Sequence, residues 1–176
     1  MIVHIGFPKC ASTSIQSGFA NSNAQFLGCN PKNSIDEFYD KKIGNFFEGT
    51  LRIGSDKKFK ELSKPIMDYL HEQDYNNSKQ VILSYENICF RLTPWDLPTD
   101  IKINRLCKII PPSPKFVICF RNIKNHILSL YKNYLSFGYT EKFNNFIKEV
   151  LLLNDYGFLN DLNLSSLKNN LFDNLS

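Results

Sequence analysis

Three apolar runs stand out from an otherwise polar chain. Ile2, Val3 and Ile5 form the first, Val81 to Ile88 the second and Phe116 to Phe120 the third. Runs of this length, rich in β-branched and aromatic residues, predict strands of a buried parallel sheet. Helical spacing fills the intervals. Ile15 to Phe19 begin a helix, Phe59 to Tyr69 are periodic, and Ile101 to Ile110 form a helix stopped by Pro111-Pro112. After the third run, Ile123, Ile127, Leu130, Tyr131 and Tyr134 recur at helical spacing, followed by a helix over Phe143 to Leu153. Leu164, Leu167 and Leu171 suggest one more. The polar stretches Ala20 to Pro31 and Glu72 to Lys79 read as connections, as does Arg91 to Asp100 with Pro94, Trp95 and Pro98. Ile35 to Gly54 mixes Phe38, Tyr39, Phe46 and Phe47 with glycines, and reads as a capping subdomain with its own apolar contacts rather than as part of a ligand cleft. Strands alternating with helices predict an α/β fold with a central, mainly parallel sheet, in a single domain over 1–176.

Composition narrows the function classes. With 176 residues, 43% of them hydrophobic, the chain is long enough for one domain core. A net charge of +4 suits a small anionic ligand, and no dense Lys/Arg cluster interleaved with aromatics suggests nucleic acid. The five cysteines form no C-x-x-C pair, and with His4, His71 and His126 scattered there is no zinc spacing. Cys89 and Cys119 read as small core hydrophobes, His4 as a strand residue and His126 as a helix-face residue near the ligand. No charged, apolar leader opens the chain, and nothing reaches the ~18 apolar residues of a membrane span, so the expected location is the cytoplasm.

Chemistry concentrates behind the first run. Gly6 and Pro8 turn the chain, Lys9 supplies a mobile charge, and Cys10, Ala11, Ser12, Thr13 and Ser14 lead into the helix. Small residues let backbone amides and a helix N-terminus approach an anion, while the hydroxyls add donors. The order differs from G-x-x-x-x-G-K-[ST], because Ser12 stands where that signature needs lysine. A plain polar strand-to-helix turn is the alternative. At the third run, Arg121 lies at the carboxyl end of a strand, where open α/β sheets bind ligands, and Ser129 follows about two helical turns later. A solvated strand-end charge and a neutral helix-surface serine are the corresponding bland readings. Glu86 follows the second run as a carboxylate near the same crevice, or as the first-turn residue of a helix capped by Ser84.

Pro8-Lys9-Cys10-Ala11-Ser12-Thr13-Ser14 resembles the 5′-phosphosulfate loop of sulfotransferases that use 3′-phosphoadenosine 5′-phosphosulfate (PAPS), with Ala11 where that loop carries glycine. Arg121 to Tyr131 resembles their 3′-phosphate-binding element, an arginine at a strand end and a serine eight residues on. The resemblance covers roughly the first 140 residues. It implies a three-layer, P-loop-like sulfotransferase fold and transfer of a sulfuryl group from PAPS to a hydroxyl or amine of a carbohydrate or glycolipid acceptor, with no metal. Lys9 and Glu86 would be catalytic, Glu86 as base. Pro8 to Ser14, Arg121 and Ser129 would hold the nucleotide. The family continues with a further strand and a basic, glycine-containing loop, which are expected to be missing here. A non-catalytic nucleotide-binding module is therefore the second reading, and a small-molecule kinase the third.

Overall fold

The computed structural model describes residues 1–7, 9–30, 38–76, 78–89, 91 and 95–152. Among these residues four strands form the sheet: β1 (Ile2–Gly6), β2 (Gln25–Gly28), β3 (Val81–Ser84) and β4 (Lys115–Cys119). Their order is β2-β3-β1-β4, and all three pairings are parallel. Register sets Val3 beside Leu83 and Phe116, and His4 beside Ser84 and Val117. The helices are α1 (Ser12–Ala20), α2 (Lys41–Phe46), α3 (Asp56–Asn76), α4 (Thr99–Cys107), α5 (Ile123–Ser136) and α6 (Phe143–Leu152). α2 runs directly into a π-helical segment, Phe47–Arg52, and a 3₁₀ turn, Glu86–Ile88, follows β3.

Strand alternation splits the sheet into two unlike faces. Val3, Ile5, Leu27, Val81 and Leu83 share the first face and pack with Phe59, Ile66 and Leu70 of α3 and with Ile103 and Leu106 of α4. Each such fully buried side chain contributes about 1.5–3 kcal/mol relative to exposure. On the other face α1 lies over His4, Ser84 and Phe26: Phe19 packs edge-on against His4, with ring centroids 5.8 Å apart, and also touches Phe26. Helix starts follow local chemistry. Asp40 caps α2 by accepting from the Ile43 amide at 3.0 Å, and Asn122 caps α5 by accepting from Lys124 at 3.1 Å.

The element pattern departs from the sequence reading at several places. The polar stretch Ala20 to Pro31 contains β2, whose four residues are too few and too mixed to signal a strand. The supposed link from Glu72 is helical through Asn76. The second run is strand only to Ser84, and the third ends at Cys119. β4 pairs only with β1 among the described residues, so Phe116 to Cys119 are half-buried and Phe120 is half-exposed. Phe38, Phe46 and Phe47 join the main core, not a separate subdomain. Leu164, Leu167 and Leu171 lie outside the described residues. A satellite cluster, Leu130 and Phe146 with Ile127, Tyr131, Tyr139 and Ile147, clamps α5 to α6. No described helix is long and apolar enough to cross a membrane.

Candidate functional site

The sheet order creates a crevice. The connection leaving β1 passes over the His4 face through α1, whereas the connection leaving β3 passes over the opposite face through α4. β1 and β3 are neighbours, so their carboxyl ends part, and such a switch point is where open α/β sheets take ligands. The loop after β1 and the Glu86 turn after β3 line that opening.

The loop is shaped for a close-approaching ligand. Lys9 and Ala11 adopt left-handed backbone, φ 64° and 65°, and the Cys10 amide donates back to the Phe7 carbonyl at 3.3 Å. Ala11 is the N-cap of α1 and offers no side-chain acceptor, and the first turn holds no acidic residue. No N-cap side chain satisfies the amides at this helix start, the kind of place where anions bind. Thr13 and Ser14 are exposed there. Pro8 and the Ser12 side chain lie outside what the structure describes.

Arg121 reaches this loop. Its Nη1 donates to the Lys9 carbonyl at 3.1 Å, tying the end of β4 to the loop across 112 residues of chain. Behind it, His126 on α5 is buried with Nδ1 3.9 Å from the Cys10 sulfur and its ring 6.3 Å from Phe7. Ser129, three residues on, shares that side of α5 and is half-buried. Burial pushes the Cys10 thiol up, and the neighbouring Cys119 and Glu86 push the same way while Arg121 opposes them. Cys10 therefore feels both candidate groups, and the structure gathers Lys9, Cys10, Arg121, His126 and Glu86 at one end of the sheet. Cys10 is an inert loop anchor by this account, buried and held protonated.

Comparison with known protein families, curated proteins and solved structures finds no match for this chain.

Glu86 opens the 3₁₀ turn and is half-buried, its carbonyl accepting from the Cys89 amide at 3.3 Å. Ser84 does not cap this turn. Its hydroxyl is 2.8 Å from His4 Nδ1 and accepts from Gln16 Nε2 at 3.3 Å. The turn is held instead by a polar network invisible in the sequence. The Tyr85 hydroxyl donates to the Glu48 carboxylate and accepts from Asn87 Nδ2 at 3.4 Å. Arg52 pairs with the same Glu48 and with the buried Asp96 at 2.9 Å. Lys102 donates to the Asn87 carbonyl at 2.7 Å. The π-helical segment thereby supplies both Glu48 and Arg52 to the residue preceding Glu86. A separate groove of about 500 Å³ between α3 and α4, lined by Asp56, Lys60, Asn104 and Arg105, is organised by a structural ion pair and lies apart from the switch point.

Proposed function

We propose that this chain transfers a sulfuryl group from PAPS to a hydroxyl or amine of an acceptor, a carbohydrate or glycolipid fitting best. What supports it is the bond from Arg121 to the Lys9 carbonyl beside the uncapped α1 start, since a guanidinium is a fork of donors suited to phosphate. PAPS supplies an activated sulfuryl group whose S–O bond to the 5′-phosphate breaks as a new S–O bond to the acceptor forms. The amides of residues 12–14, with the hydroxyls of Ser12, Thr13 and Ser14, bind the 5′ end. Lys9 neutralises charge growing on the leaving phosphate oxygen. Arg121 and Ser129 hold the 3′-phosphate, which distinguishes the ligand from ADP. Glu86, across the crevice, takes the acceptor proton. The first turn of α1 carries no acidic residue to compete for its amides, which supports such a ligand.

Titration calorimetry with 3′-phosphoadenosine 5′-phosphate tests the reading, with ADP as control. Binding that demands the 3′-phosphate is expected, together with loss of turnover in Lys9→Ala and a raised PAPS requirement in Arg121→Ala. Equal binding of ADP, or full activity in Lys9→Ala, overturns it. Binding without turnover leaves a nucleotide-binding module.

A further inference from the structure

His4 is fully buried on β1, yet only one side of its ring is satisfied. Nδ1 is 2.8 Å from the Ser84 hydroxyl, which also accepts from Gln16 Nε2 at 3.3 Å. A hydroxyl has one proton to give. Gln16 fills one of its two lone pairs, and when Ser84 gives its proton to Nδ1 the imidazole proton resides on Nε2. Burial lowers the His4 pKa and so favours the neutral ring, in which that tautomer makes Nε2–H a donor. That Nε2 is buried and has no hydrogen-bond partner among the described residues. It lies 3.3 Å from where a Cβ on Gly6 would sit, so it faces the residue from which the loop departs. Any side chain at Gly6 would press on this edge of the ring.

A buried donor without an acceptor disfavours the state that holds it. Here it lies beneath the loop whose helix amides also lack a side-chain acceptor. We propose that His4 is an anion-binding residue of this loop, its Nε2–H donating to an oxyanion held at the start of α1, with Ser84 and Gln16 fixing the tautomer that makes it a donor. This rests on reading the loop as an anion cradle and adds the residue below it. It also explains why a polar chain of Gln16, Ser84 and His4 crosses the otherwise apolar contact between α1 and the sheet.

The test uses the full chain with pyrophosphate as probe, at ionic strength matched with sodium chloride. Pyrophosphate is expected to raise the melting temperature of the wild type. His4→Leu is expected to weaken pyrophosphate affinity by on the order of tenfold, and His4→Gln, which keeps a donor near the Nε2 position, to restore most of it. Should His4→Leu fail to fold, the wild-type protein still decides: a slowly exchanging imidazole N–H resonance should shift downfield on pyrophosphate addition, and only three histidines need to be told apart. Unchanged affinity in His4→Leu, or an unmoved resonance, overturns the proposal. The same holds if the wild type takes no pyrophosphate. If pyrophosphate binds through His4 but 3′-phosphoadenosine 5′-phosphate does not, the anion site stands and sulfuryl transfer falls. If the nucleotide binds and His4 is irrelevant to it, the reverse holds.

Discussion

Replacing Tyr85 by phenylalanine isolates the network that holds the Glu86 turn. Tyr85 is fully buried, with its ring 5.2 Å from Phe38 and 5.4 Å from Phe47, and phenylalanine keeps both contacts. Only the hydroxyl is lost, and with it a bond to the Glu48 carboxylate and an acceptor for Asn87. A hydrogen bond to a charged group contributes about 1.5–3 kcal/mol. Glu48 keeps Arg52 and is about one-third exposed, which places the loss near the middle of that range, about 2 kcal/mol. For a chain of this size that is a fall of about 4–8 °C in melting temperature. Urea unfolding of Tyr85→Phe, Glu48→Gln and the double variant gives the coupling directly, expected at about 1 kcal/mol or more. Burial, and then the Glu48 charge, raises the Tyr85 pKa. The folded state therefore holds its proton more tightly than the unfolded chain, and the contribution is complete below about pH 10 and declines above it. Tyr85→Phe should accordingly flatten the alkaline limb of the stability curve. A change under about 1 °C with additive variants would refute the network.

Two further substitutions probe the scaffold. Arg105 is buried, donates to the Thr50 and Gly54 carbonyls at 2.9 and 2.8 Å, and lies over the Phe59 ring. Arg105→Met should cost about 3 kcal/mol in urea unfolding because the buried Gly54 carbonyl loses this donor, Thr50 keeps only the Gly54 amide, and the paired guanidinium is gone. Asp56→Asn at the exposed end of the same cluster should cost little, and equal losses would contradict this division. Ala11→Gly removes a Cβ from left-handed backbone, so relief of about 1–2 kcal/mol offsets the added freedom of the unfolded chain. The melting temperature should hold or rise, and a drop of several degrees would show that Ala11 is not strained.

What was legible in the sequence follows the range of the forces involved. The runs beginning at Ile2, Val81 and Phe116 declare themselves because sheet burial demands consecutive apolar residues. The loop from Lys9 to Ser14 is likewise local, its small residues adjacent to the helix they begin. Gln25 to Gly28 left no such mark, since Gln25 and Gly28 are tolerated only through pairing with Val81 and Ser84. The role of Ser84 depends on register with His4, 80 residues away, so a local reading could only offer it as a helix cap. Glu48, Arg52 and Tyr85 meet solely through tertiary packing. Phe116 to Phe120 read as fully buried because composition reports a strand's apolarity and not its position in the sheet, and β4 has one described neighbour.

Sheet order also constrains how the chain is made. β1 leaves the ribosome before the other described strands, yet its neighbours are β3 and β4, with Ile2 opposite Ile82 and Lys115. At roughly 5–20 residues per second, about 4–16 s of translation separate the emergence of β1 from that of its first partner. During that interval Val3 and Ile5 have no sheet to join, and β2 cannot shelter them because it pairs with β3. Nascent chains of this protein should therefore engage chaperones through β1 until β3 has emerged, and synonymous codons that slow synthesis between β1 and β3 should increase aggregation more than the same codons placed after β4.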